Sequence, residues 1–239
     1  MKDTGILTEG LKDLGISLSS GQMEKLIAYY DLLTEKNKVM NLTAVTEFED
    51  VCIKHYLDSL SLIKAFDPEN AETLIDVGTG AGFPGVVLKI AWPHLRVTLM
   101  DSLNKRISFL NDVIGALDLK DIRAVHSRAE DLGRDKEYRE VYDLAVSRAV
   151  ADLSVLSEYC IPFVRKAGCF VAYKTQDAGE EILGAKKAIN VLGGEDPEII
   201  SFNLPGTEFK RALVRINKIK DTPKKYPRKA GTPGKEPIK

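Results

Sequence analysis

An α/β fold with a mostly parallel, seven-stranded, Rossmann-like sheet and an N-terminal helical cap follows from three features of the sequence. From residue 73 onward, short apolar runs alternate with segments of helical periodicity, the pattern of parallel strands joined by crossover helices. The first run, Leu74-Ile75-Asp76-Val77, opens into a loop with glycines at 78, 80, 82 and 85, followed by the apolar helical segment 86–90. Glycines this dense between strand and helix let the backbone turn sharply and leave room for a ligand against bare peptide. Residues 1–70, by contrast, carry helical patterns only.

In the cap, Ile6, Leu7, Leu11 and Leu14 fall on one helical face before Gly15. Ser19 or Ser20 can cap a second helix, in which Met23, Leu26, Ile27, Tyr30 and Leu33 recur at three- and four-residue intervals. Residues 36–43 read as a polar loop. Thr46 with Glu49 suggests a capping box for a third helix carrying Val51, Ile53, Leu57, Leu60 and Ile63. His55 and Asp58, three apart on its face, can form a polar pair. Strands are expected over 74–77, 95–100, 122–126, 142–147 and 168–173, with helices over 105–117, 152–164 (capped by Asp152) and 178–192. Pro84 suits the first turn of the helix after the glycine loop. Residues 199–202 and 209–219, joined across Pro205-Gly206, form a hairpin that brings the strands to seven. The expected organisation is a cap over 1–70 packed on the sheet, a nucleotide-type ligand domain over 71–220, and a basic Pro/Gly-rich tail over 221–239.

A chain that is 44% hydrophobic and 29% charged can bury a substantial core. No apolar run approaches the ~18 residues of a membrane span, and residues 1–5 lack a signal-peptide core. Cys52, Cys160 and Cys169 are too few and too scattered for a disulfide framework or a zinc site, so the reading is no metal and a reducing cytoplasmic location. Net charge is −1, yet residues 210–239 hold eleven Lys or Arg against Asp221 and Glu236. That asymmetry is expected of a chain whose one end meets a polyanion.

Two cofactor patterns overlap in the loop. Gly80-Ala81-Gly82-Phe83-Pro84-Gly85 satisfies the dinucleotide G-x-G-x-x-G, and Asp76-Val77-Gly78-Thr79-Gly80-Ala81-Gly82 the D-x-G-x-G-x-G of S-adenosylmethionine (SAM) methyltransferases. Asp76 favours SAM, whose ammonium it attracts, over a pyrophosphate, which it repels. Ligands of open α/β sheets lie beyond the carboxyl ends of the strands, where Gly78, Asp101, Ala129, Glu130, Arg148 and Lys174 fall. Asp101 can accept from both ribose hydroxyls, and Glu130 or its neighbouring backbone can hold the adenine amine. No cysteine stands at the end of the fourth or fifth strand to attack a pyrimidine C5. Ser147-Arg148-Ala149-Val150 is also not the Asn/Asp-Pro-Pro-aromatic motif used on exocyclic amines. What remains is a nucleophile with a free lone pair, such as guanine N7, which needs positioning and no general base. Arg148 would orient the cofactor carboxylate or guanine O6. Lys105, Arg106, Arg123, Arg128 and Lys174 are expected near the same rim as phosphate contacts. Lys224, Lys225, Arg228 and Lys229 of the tail join them, with Tyr226 as a base-stacking face.

Taken together, Asn41-Leu42-Thr43, His55-Tyr56-Leu57-Asp58-Ser59, Asp76 through Gly85, Lys105-Arg106, Ser147-Arg148-Ala149, Tyr226-Pro227-Arg228-Lys229 and Gly231-Thr232-Pro233 resemble the small-subunit ribosomal RNA methyltransferase G family, also called glucose-inhibited division protein B. The resemblance spans nearly the whole chain. It implies a class I SAM-dependent methyltransferase fold and methylation of guanine N7 in the decoding-region loop of 16S rRNA, on free RNA or the small ribosomal subunit. The cofactor contacts it implies are Gly78, Phe83, Ala129, Glu130 and Arg148. Asp101 stands where many members carry glutamate, and either carboxylate can hold a ribose. Two other readings share the loop: an NAD(P)-dependent oxidoreductase, and a non-enzymatic RNA-binding assembly factor.

Overall fold

The strands form a single sheet in the order β3-β2-β1-β4-β5-β7-β6. A computed structural model describes residues 2–148, 150–175 and 178–239. The strands are β1 Thr73–Val77, β2 Arg96–Asp101, β3 Ile122–His126, β4 Tyr142–Arg148, β5 Val164–Thr175, β6 Glu198–Asn203 and β7 Lys210–Asn217. The first five pair in parallel, and β7 runs antiparallel between β5 and β6. The helices are α1 Gly5–Asp13, α2 Ser20–Met40, α3 Phe48–Val51, α4 Asp58–Leu60, α5 Gly85–Ala91, α6 Asn104–Ala116, α7 Ala129–Leu132, α8 Leu153–Cys160, α9 Ala178–Leu192 and α10 Thr232–Lys235. Chain order reverses between β1 and β4, which creates the crevice where open α/β sheets bind ligands.

Side-chain alternation along the strands divides the core in two. Leu74, Leu99, Leu144, Val146 and Val171 face α2, α5, α6 and the cap, whereas Ile75, Val77, Ala145, Phe170 and Val214 face α8 and α9. The cap therefore shares one continuous core with the sheet. No helix among the described residues is long and apolar enough to cross a membrane.

Most departures from sequence expectation lie in the cap. Ser19 caps α2 in a capping box with Gln22. The helix then runs into the expected polar loop as far as Met40, ending where Asn41 adopts φ +49. It buries Leu26, Tyr29 and Leu33, so Tyr29 rather than Tyr30 faces the core. Ile6 of α1 turns out to solvent. The expected box of Thr46 and Glu49 is absent: Glu47 precedes α3 with no side-chain cap. A π-helical turn, Cys52–Leu57, then separates α3 from α4. Such a turn inserts a residue and rotates the positions after it. His55 and Asp58 accordingly do not pair with each other. Elsewhere, Pro84 is the N-cap of α5, and α8 stops at Cys160 because Pro162 cannot continue the amide ladder.

The C-terminal segment is folded onto the protein, contrary to the expectation of a polar tail. Glu158, 1% exposed, accepts from the backbone N–H of Arg228 (2.7 Å) and from its guanidinium Nε and Nη2 (3.0 and 2.7 Å). Arg139 donates to the carbonyls of Tyr226 and Thr222, and Arg134 to that of Pro227. Local composition reads as unstructured because its partners lie 70 or more positions away. Arg228→Ala strands a buried carboxylate and is expected to cost about 3 kcal/mol in urea unfolding, with earlier proteolysis after residue 220. Unchanged stability would make the pairing incidental.

Candidate functional site

The glycine loop is shaped from beneath by Asp76. Its fully buried Oδ2 accepts from Thr79 Oγ1 (2.7 Å) and from the Gly85 N–H at the start of α5 (2.8 Å). Oδ1 has no partner. Burial raises this carboxyl to about 6, against the lowering effect of the Thr79 and Gly85 hydrogen bonds. Asp76 is therefore turned into the loop instead of standing open to a ligand's ammonium, as the sequence reading placed it. The outward surface of the loop is backbone: Gly78 and Gly80 have φ +75 and +61. Gly82, at φ +103, turns inward, where a Cβ would lie 2.6 Å from Tyr29 Oη. Tyr29 is fully buried and donates to the Ala81 carbonyl, locking α2 to the loop.

A cleft of about 420 Å³ opens over the carboxyl ends of β1, β2 and β3. Gly78, Asp101, Arg106, Ala129, Glu130 and Gly231 are among its walls. Asp101 accepts from the N–H groups of Gly80 (3.0 Å) and Leu103 (2.9 Å) and from Arg106 Nη1 (3.1 Å). Glu130 Oε1 accepts from the Gly231 N–H (2.8 Å), so the C-terminal segment closes one side of the cleft.

A second cleft, about 460 Å³, lies over the ends of β4 and β5 against the hairpin β6–β7. Its floor is Asp58, 5% exposed. Oδ2 accepts from Arg148 Nη1 (2.6 Å) and Oδ1 from Arg211 Nε (2.9 Å). Arg148 also donates to the Lys54 carbonyl (3.1 Å) and lies over the Phe83 ring, 5.2 Å from its centroid. Phe83 is buried and stacks on His55 at 4.4 Å. His55 Nδ1 is 3.2 Å from Arg148 Nη2, and its Nε2 is 2.9 Å from Thr43 Oγ1. Nδ1 also lies 3.1 Å from the Lys54 carbonyl, so both ring nitrogens are engaged. Burial first, and the Arg148 charge second, push this imidazole down to about 3 and keep it neutral.

The sequence-expected residues thus divide between two clefts. Gly78, Asp101, Ala129 and Glu130 line the first, Arg148 and Lys174 the second, and Gly82, Phe83 and Asp76 support the loop behind them. Ala149, beside Arg148, lies outside the described residues. Among the expected RNA contacts, Lys105, Lys224, Lys225 and Lys229 are exposed. Arg106 pairs with Asp101, Lys174 with Glu181, and Arg228 with Glu158. Arg123 is not on the rim: it pairs with Glu137 and lines a cavity with Thr73 and Arg96, at the amino ends of the strands. It is the second residue of β3, and the rim belongs to the last. Sequence reasoning missed Tyr29, Arg211 and Gly231. The first was masked by Tyr30 beside it, Arg211 has no local pattern, and Gly231 stood within the Gly231-Thr232-Pro233 motif with no site role read from it.

The sequence profile of the family described as rRNA small subunit methyltransferase G matches residues 22–231. The protein named ribosomal RNA small subunit methyltransferase G of Lachnoclostridium phytofermentans is 52% identical over 238 residues, 100% of this chain and 98% of that one. Its Bacillus subtilis namesake is 52% identical over 231 residues, 97% of each. Among solved structures, a putative O-methyltransferase from Klebsiella pneumoniae superposes with a TM-score of 0.53 at 12% identity, over 80% of this chain and 90% of that one. The fold is that of class I SAM-dependent methyltransferases.

The titration of His55 gives the site an acid-side signature. Neutral in the fold down to about 3 but protonated near 6.5 when unfolded, it contributes stability above pH 6.5 that is lost as pH falls toward 3. Asp76, raised from 3.8 to about 6, acts oppositely, favouring the fold below 3.8 and losing that contribution as pH rises through 6. Melting temperature is expected to fall less between pH 6.5 and 4.5 in His55→Gln than in the unaltered protein. Parallel curves would show that the ring takes its proton freely in the fold.

Proposed function

The chain belongs to the rRNA small subunit methyltransferase G family, and on that premise we propose that it methylates N7 of a guanosine in the decoding-region loop of 16S rRNA, with SAM as donor. The family's name is that of a methyltransferase, not of the oxidoreductase that the same glycine loop also fits.

One observation carries the N7 reading: the candidate bases around the second cleft are already committed. Asp58 is shared between two guanidiniums, Glu181 is paired with Lys174, and His55 is a neutral ring with both nitrogens engaged. A site so neutralised suits a nucleophile that arrives with a lone pair and no proton to lose, as guanine N7 does. Arg148, held in one orientation by Asp58, the Lys54 carbonyl and His55, presents a fixed guanidinium suited to guanine O6.

The first cleft fits the donor by the chemistry of its walls. Asp101 would hold the ribose hydroxyls, Glu130 or the adjoining backbone the adenine amine, and the bare peptide at Gly78 the chain beyond the ribose. Nothing lies within 4 Å of where a Cβ on Gly80 would stand, so the loop leaves open space there. When bound, SAM supplies an electrophilic methyl on a sulfonium. Arg148, the last residue of β4, lines the second cleft and Val150, two positions on, lines the first, so the two clefts adjoin and a donor in one would lie beside an acceptor in the other. The protein's part is to orient and to exclude water.

Incubated with methyl-labelled SAM and small subunits lacking the modification, the protein is expected to label one guanosine, at which borohydride and aniline then cleave the RNA. Label without cleavage would move the target atom off N7. An RNA left unlabelled, free or in the subunit, would favour the assembly-factor reading. Asp101→Ala is expected to weaken SAM binding by about tenfold or more in calorimetry, since it removes a charged acceptor. An unchanged affinity would remove Asp101 from the cofactor site.

A further inference from the structure

The β6–β7 hairpin places aromatic rings and cations together at the mouth of the second cleft. Phe202 and Arg211 are cross-strand partners, as are Asn203 and Lys210 one step nearer the turn. Phe209, at the turn, is 45% exposed, although Leu204, whose N–H donates to the Phe209 carbonyl across the turn, is buried. Lys54 Nζ lies 5.5 Å from the centroid of Phe209, and Lys64 Nζ 5.5 Å from that of Phe202. The nearby acids Asp50, Asp58 and Glu181 are each matched by Lys54, by Arg148 with Arg211, and by Lys174. That leaves Lys64 and Lys210 as unmatched cations among the described residues, against the exposed Glu208 on the turn. Phe202 and Arg211 also line the cleft itself, so the patch is continuous with the site proposed for the target base.

We propose that this hairpin is a stacking platform for single-stranded RNA, on which a nucleotide flanking the target guanosine lays its base against Phe209 while Lys210 and Lys64 meet its phosphates. The assignment rests on the rRNA reading above and adds residues that reading does not use. An exposed phenylalanine alone is unremarkable on a protein surface. Here two aromatic rings are flanked by cations at the edge of a cleft sized for a nucleoside, the combination by which single strands are held without base-specific hydrogen bonds. A loop nucleotide suits it better than a duplex, because only an unpaired base exposes a face for stacking.

Filter binding of the full chain to unmethylated small subunits tests the assignment. Phe209→Ala and Phe209→Leu are expected to bind about tenfold more weakly, whereas Phe209→Trp keeps the affinity of the unaltered protein. Lys210→Gln is expected to lower the salt-dependence slope by about 0.7, the contribution of one single-strand phosphate. SAM affinity and melting temperature stay unchanged in all four. Full affinity in Phe209→Ala, or in Phe209→Leu, would overturn the platform, the latter because an aliphatic side chain cannot stack. So would ultraviolet crosslinks joining the Phe209 peptide to a ribosomal protein instead of RNA. If the unaltered protein neither binds subunits nor methylates them, the rRNA reading itself falls; if it does both while Phe209→Ala matches it, only the platform falls.

Discussion

A single buried carboxylate holds the second cleft together. Asp58 bonds Arg148, 90 positions away on β4, and Arg211, 153 positions away on β7. Removing three charges from water is expensive, and well-packed apolar residues of equal volume often stabilise a fold as well or better. Stability is thus a poor account of the cluster. What the charges provide is orientation: each guanidinium is fixed by a directional hydrogen bond, and an apolar core cannot aim a cation into a cleft. The π-helical turn before Asp58 belongs to the same device, because it rotates His55 and Asp58 so that both reach Arg148.

Buried acids repeat this role around the first cleft. Asp76 pins the glycine loop to the start of α5, and Asp101 ties that loop to Arg106. Glu130 and Glu158 capture Gly231 and Arg228 of the C-terminal segment. The segment is consequently a wall of the site. Its charge has also been sorted by folding: Arg228 is spent on an internal carboxylate, while Lys224, Lys225 and Lys229 remain exposed. A cationic stretch docked beside the first cleft and a cationic hairpin beside the second are the two patches that the proposed RNA would meet at this edge of the sheet.

The elements legible in the sequence were those set by short-range rules. Short apolar runs marked each strand, Asp152 capped α8 as its position indicated, and the four glycines marked a strand-to-helix turn with bare backbone. The cap resisted such reading because the run Lys36-Asn37-Lys38 is polar, and its helicity comes from being continuous with a packed helix. The π turn is invisible for a related reason: nothing in the local pattern of Cys52–Leu57 marks an extra residue.

By itself the sequence determined the order of strands and helices along the chain, the mostly parallel α/β class, the glycine loop and the family, since each depends on residues adjacent or periodically spaced. Tertiary structure alone decided which charge meets which. Arg123, Arg148 and Arg228 are one letter in the sequence, yet the first pairs at the far end of the sheet, the second is aimed into a cleft and the third anchors the C-terminal segment. The reason is physical: a backbone turn is chosen by its immediate neighbours, whereas a buried charge is held by whichever opposite group the folded chain delivers within about 3 Å.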